Sequence, residues 1–231
     1  MRLDVALTKK GFVESREKAK YLIKKGCVVV DGIIVKKPSK KVNENSKIVL
    51  IEGFEFVGKG GYKLDAAVKN FKIDFKDKIV ADVGCSIGGF TDYALKNGAK
   101  KVYAIDKGDV LHQKLRKNEK VIYLPKTDAR NIEALEEKID ICLVDVTFSS
   151  IKPILLTVKN WLKHNGKVIG LIKPPFETPK PKKISNYKKC LEIAKEIGEW
   201  ASKNGYCVGG IINIEPQKTR QHEFFICLTL V

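Results

Sequence analysis

From residue 79 onward, short apolar runs alternate with stretches whose apolar residues recur every three or four positions. The runs at 79–83, 101–105, 121–124, 139–145, 166–172, 207–214 and 223–230 read as strands. The stretches near 89–97, 109–117, 131–137, 151–163 and 186–203 read as helices. Such alternation predicts an α/β unit, a mostly parallel seven-stranded sheet with helices on both faces. The final run follows 207–214 after only a short helix-free connection. A parallel crossover needs about a dozen residues or more, so that last strand is expected to run antiparallel.

The first 60 residues have a different rhythm. Ser15 is placed to cap a helix from Arg16 to Lys25, with Gly26 at its left-handed end. Ala19, Leu22 and Ile23 form its apolar stripe, while Arg16, Lys20 and Lys24, four apart, form a basic ridge. Cys27 to Val30 and Ile33 to Val35 flank Asp31-Gly32, a hairpin signature, and Lys47 to Ile51 adds a short strand. The expected organisation is a small α+β domain over 1–57, a glycine-rich linker over 58–62 and the α/β domain over 63–231.

Composition narrows the possible partners. At 44% hydrophobic residues the chain can bury proper cores, and no run approaches the ~18 to 20 apolar residues of a membrane span. Met1 to Lys10 is too polar for a secretory signal, so a cytoplasmic protein without stable membrane association is expected. The formal charge of +17 favours a polyanionic partner. Residues 1–60 carry 14 Lys and Arg against 7 Asp and Glu, so the excess is densest at the front. Arg2, Arg16, Lys18, Lys20, Lys24, Lys25, Lys36 and Lys37 are the candidate phosphate-binding residues there. The six cysteines form no C-x-x-C pair and the three histidines are scattered, so no metal is expected.

The chemistry starts at the first strand–helix turn of the α/β domain, Asp82-Val83-Gly84-Cys85-Ser86-Ile87-Gly88-Gly89-Phe90-Thr91. A dinucleotide fingerprint would need glycine at 86. Gly84 to Gly88 fits G-x-S-x-G, but that nucleophile elbow normally follows several strands, not the first. The third reading is a loop for S-adenosylmethionine, in which Gly84, Ser86, Gly88, Gly89 and Phe90 shape the cofactor site and Asp82 holds its ammonium. Asp106, closing the next strand, would accept the ribose hydroxyls, and Asp128, after the third, the adenine amine. Acids at three consecutive strand ends suit a cationic sulfonium and would repel a pyrophosphate. Asp145 ends the fourth strand, but the Asn/Asp-Pro-Pro-Tyr/Phe motif of amine methyltransferases is missing there. Lys173-Pro174-Pro175-Phe176 lies one strand later and begins with lysine, which points to a hydroxyl target.

Two resemblances extend this reading. Arg2-Leu3-Asp4, Gly11, Ser15 to Ala19, Ile23, Gly26 to Gly32 and Pro38 resemble the S-four RNA-binding domain, named after a small-subunit ribosomal protein. Lys63, Asp145, Lys173 and Glu223 fall where FtsJ-type ribose 2′-O-methyltransferases carry a Lys-Asp-Lys-Glu tetrad. The whole chain resembles the TlyA family, historically labelled hemolysins, in which an S-four domain precedes a Rossmann-like methyltransferase domain. That resemblance implies S-adenosylmethionine-dependent 2′-O-methylation of cytidine in ribosomal RNA, with ribosomal RNA or subunits as partners. In the chemistry expected of such a set, Lys173 polarises or deprotonates the hydroxyl, Asp145 orients Lys173 and borders the cofactor, Lys63 supports the ribose and phosphate side, and Glu223 completes the network. Asp128 stands where the family usually has Asn, and Gln221-His222 where it has Gly-Asn. A non-catalytic RNA-binding protein, or a membrane-active one as the old label suggests, is the alternative.

Overall fold

The structure, a computed structural model, describes residues 1–50, 56–179, 184–214 and 221–231. They divide into two compact units, Met1–Phe54 and Glu55–Val231. In the first, helices α1 (Leu3–Lys9) and α2 (Arg16–Lys24) precede strands β1 (Val28–Val30), β2 (Ile33–Ile34) and β3 (Ile48–Leu50), with β1 central and antiparallel to both neighbours. Ser15 accepts a hydrogen bond from the Lys18 N–H at 3.2 Å, and Gly26 ends the helix at φ 78°. Asp31 and Gly32 both adopt positive φ, as the hairpin requires. Leu3, Leu7, Leu22 and Ile23 close over Val28 and Val30, all at most 2% exposed. Each such burial contributes ~1.5–3 kcal/mol, which is what holds so small a unit together. Helix α1 was not foreseen, because its seven residues are too few for a periodic signal.

The second unit runs α3 (Lys59–Phe71), β4 (Ile79–Val83), α4 (Gly89–Lys96), β5 (Lys101–Ile105), α5 (Gln113–Arg116), β6 (Val121–Leu124), β7 (Ile139–Val144), α6 (Lys152–Val158), β8 (Leu162–Ile172), α7 (Tyr187–Lys203), β9 (Tyr206–Ile214) and β10 (Glu223–Leu230). The seven strands lie in the order β6-β5-β4-β7-β8-β10-β9. The first five are parallel, and β10 is antiparallel to both β8 and β9, as its short connection required. Helices α6 and α7 cover one face around Trp161, Ile197 and Phe224. Helices α3 and α4 cover the other around Leu64, Phe90 and Phe225.

Four expectations change. No helix forms over 131–137; a 3-10 turn, Ala129–Asn131, is followed by irregular chain. Tertiary bonds outcompete a two-turn helix there: the Ile132 carbonyl accepts from Trp161 Nε1 at 3.2 Å, and Glu137 pairs with Lys101. The helix expected over 109–117 shrinks to α5. The one expected over 151–163 ends at Val158, and β8 begins four residues early, with a register irregularity opposite Ile139/Ile141. Finally, residues 59–62 are the first turn of α3, not a linker. A Cβ on Gly61 would sit 2.3 Å from Phe56 Cγ, and one on Gly89 would sit 3.1 Å from the Gly61 nitrogen. The glycines let the starts of α3 and α4 touch.

Candidate active site

Side-chain alternation along three strands selects what reaches the site. On β7, Ile141 and Leu143 face the α3/α4 layer, so Asp145, one step past the strand, does too. Ile169 and Leu171 do the same for Lys173 at the end of β8, and Phe225 and Cys227 for Glu223 at the start of β10. Phe224 pairs with Ile172, so Glu223 and Lys173 are neighbours in register. Helix α3 buries Leu64, Ala67 and Val68 in that same layer and thereby carries Lys63 to it. The four residues meet as two ion pairs. Lys173 Nζ lies 2.5 Å from Asp145 Oδ1 and also donates to Thr147 Oγ1 at 2.8 Å. Lys63 pairs with Glu223.

Beside Asp145 opens a cleft of about 260 Å³ at the carboxyl ends of the parallel strands. Of the expected cofactor residues, Gly84, Ser86, Asp106, Asp128 and Asp145 line it. Asp106 accepts from the Ser86 and Gly108 N–H groups at 2.8 and 2.7 Å, which fixes the carboxylate and leaves lone pairs toward the cleft. Asp82 does not line the cleft; it is fully buried and accepts from Thr91 Oγ1 at 2.6 Å. Its Oδ1 has no hydrogen-bond partner. Burial above all, then the nearby Asp145 and Asp106, push its carboxyl up to about 7, against the Thr91 hydrogen bond.

Gly88, Gly89 and Phe90 also lie off the cleft wall. The loop glycines answer to the protein itself. A Cβ on Gly84 would lie 2.3 Å from the Asp145 carbonyl oxygen, and one on Gly88 would lie 2.2 Å from Leu115 Cδ1; both residues have positive φ. Asp128 is in the wall, but its carboxylate is held by Arg130 at 2.5 Å and Lys107 at 2.9 Å. Arg130 foremost holds its carboxyl well below the usual carboxylate range. Thr147, Lys107 and Arg130 join the site without having been singled out in the sequence. Only the spacing of Thr147, two residues past Asp145, could have signalled it.

In the N-terminal unit Arg2, Arg16, Lys24, Lys25, Lys36 and Lys37 are exposed and Lys18 and Lys20 half-buried. The expected ridge is partly engaged internally. Arg2 and Arg16 both donate to Asp4, which is fully buried, and Lys20 donates to Glu17 at 2.6 Å. The two guanidinium groups, chiefly that of Arg2, hold the Asp4 carboxyl down at about 2 against its burial. Among the described residues no group of three or more His, Cys, Asp or Glu could hold a metal ion. No described helix is long and apolar enough to cross a membrane.

Comparison with known proteins gives the family. Residues 56–208 match the FtsJ-like methyltransferase model and residues 1–48 the S4 domain model. Hemolysin A of Brachyspira hyodysenteriae is 39% identical over 181 residues, 77% of this chain and 75% of that protein. The 16S/23S rRNA (cytidine-2'-O)-methyltransferase TlyA of Mycobacterium tuberculosis is 32% identical over 184 residues, 78% of this chain and 69% of that one. A solved structure from Streptococcus thermophilus that carries the name hemolysin superposes with a TM-score of 0.75 at 32% identity, covering 100% of this chain and 88% of that one. The chain therefore belongs to the FtsJ-like methyltransferase family, with an S4 domain ahead of its methyltransferase unit.

Proposed function

We propose that this protein methylates the 2′ hydroxyl of a ribose, that of cytidine, in ribosomal RNA, using S-adenosylmethionine. The observation that carries the reading is Lys173, whose Nζ is held by Asp145 and Thr147, both of which line the cleft. The named activity of the mycobacterial relative supports the choice of atom and nucleotide. Asp106, Asp145, Ser86 and Gly84 would hold the cofactor, and Asp82, with its unpartnered buried oxygen, would back the loop that receives it. The Asp106 carboxylate, fixed by two N–H groups in the cleft wall, fits the cofactor's ribose hydroxyls. The bound cofactor supplies an electrophilic methyl group on a good leaving group. The protein's task is then alignment more than proton removal.

Lys173, paired with Asp145, donates a hydrogen bond to the 2′ oxygen and keeps its lone pair aimed along the transfer line. Asp145 holds the ammonium in place, and the hydroxyl proton leaves late, to water. Lys63 steadies the ribose and phosphate side, fixed in turn by Glu223. The basic residues of the N-terminal unit, Arg2, Arg16, Lys18, Lys20, Lys24, Lys25, Lys36 and Lys37, bind RNA phosphates and fix register without reading sequence. Asp128, neutralised by Arg130 and Lys107, makes a poor acceptor for an adenine amine; its role is to shape that wall. The work belongs in the cytoplasm, with ribosomal RNA or ribosomal subunits as substrate.

The test is tritiated methyl transfer to unmethylated ribosomal subunits, followed by mapping of the modified ribose. Lys173→Ala should lose about 100-fold or more in rate while cofactor affinity by calorimetry stays near wild type. A substantially active Lys173→Ala enzyme would remove the assignment.

A further inference from the structure

The turn that leaves β7 and the turn that leaves β8 meet at three successive levels. At the first, Lys173 contacts Asp145 and Thr147. At the second, the rings of Phe148 and Phe176 lie 5.3 Å apart. At the third, the Glu177 carboxylate accepts from Ser150 Oγ at 2.6 Å and from the Ile151 N–H at 3.0 Å. Ser150 Oγ in turn accepts from the Lys152 N–H at 3.2 Å, at the start of α6. Residues 146–150 lie in no strand or helix, and Phe148 holds a left-handed φ of 62°. That conformation is strained for a non-glycine residue and persists only if its surroundings impose it. With its side chain 85% exposed, Phe148 cannot impose it by burial. The third level can. It is half-buried, and burial pushes the Glu177 carboxyl up while Ser150 and Ile151 oppose that by donating to the charged form.

We infer that Glu177 is a positioning residue for methyl transfer: its carboxylate locks the 145–151 turn onto the 173–177 turn, so that Asp145 and Thr147 meet Lys173 Nζ. This rests on the reading that Lys173 orients the ribose hydroxyl. Glu177 acts through the turn and touches no reacting group.

The test compares Glu177→Gln, Ser150→Ala, their double variant and Lys173→Ala in the full chain. Methyl transfer to unmethylated ribosomal subunits is measured, with cofactor affinity by calorimetry and thermal melting alongside. Glutamine keeps the size but removes the charge and leaves a single acceptor oxygen, so either the Ser150 hydroxyl or the Ile151 N–H loses its partner. Glu177→Gln is expected to lower kcat about 10- to 100-fold, with the subunit KM and cofactor affinity little changed. Ser150→Ala should show a smaller loss, and the double variant should be no worse than Glu177→Gln, since both cut one link. Wild-type kcat for Glu177→Gln beside an inactive Lys173→Ala overturns the clamp and leaves the proposed function standing. A lowered melting temperature with wild-type kcat below the transition, or fully additive losses, overturns it equally. An active Lys173→Ala overturns the proposed function and the clamp with it.

Discussion

Asp82 shows what a single buried carboxyl contributes to this site. One of its oxygens takes the Thr91 hydroxyl and the other has no hydrogen-bond partner, in a position with no solvent exposure. Because burial raises its folded pKa from 3.8 to about 7, the folded state binds this proton more tightly than the unfolded state does. The associated stability is fully present below about pH 3.8, is lost as pH rises through about 7, and is flat above that. Asp82→Asn, which keeps an acceptor for Thr91, should therefore gain stability over wild type as pH climbs from 4 to 7, by on the order of a few kcal/mol. Melting temperatures across that range check the sign; a difference that shrinks with pH would refute it. The same variant should bind S-adenosylmethionine more weakly, the usual exchange of stability for function at a site. Asp82 stood out in the sequence as a strand-end acid, whereas its place behind the cleft wall did not. Asp128 stood out for the same reason, yet the cations that neutralise it, Lys107 and Arg130, come from a different loop and from a side chain that folds back.

At the scale of elements, the glycine-rich turn after β4 is a packing device. Gly84 adopts φ 83° with its Cα facing the Asp145 carbonyl, so a methyl group there would clash with backbone that cannot move without shifting Asp145. Gly84→Ala should destabilise the methyltransferase unit by about 2 kcal/mol or more, measured by urea unfolding with no cofactor added. A neutral result would mean the glycine serves only the ligand. Period and spacing located β4 to β7 and β10 to within about a residue because strands covered by helices on both faces of the sheet are written as continuous apolar runs. They failed over 131–137, where the helical spacing of Ile132 and Leu135 reflects partial packing on the core beside Trp161. They failed again at residues 59–62, where glycines that resemble a joint permit a close helix contact.

For the whole molecule, a formal charge of +17 makes binding to a polyanion the dominant long-range interaction. Affinity for ribosomal RNA should fall steeply with salt, about 1,000-fold between 50 and 200 mM if some six phosphates are contacted. Charge reversal at Arg16, Lys20 and Lys24 together should both weaken binding and flatten the slope of log K against log salt; an unchanged slope would take that helix out of the interface. The amino-acid sequence by itself determined the order of the strands along the methyltransferase unit and the antiparallel last strand, because alternation and connection length are local properties. Only the tertiary structure decided how the tetrad divides into a Lys173–Asp145 and a Lys63–Glu223 pair, and that Asp4 gathers Arg2 and Arg16. It also decided that Glu177 fastens the turn beside Lys173. Those contacts join residues up to 160 positions apart, and no spacing along the chain encodes them.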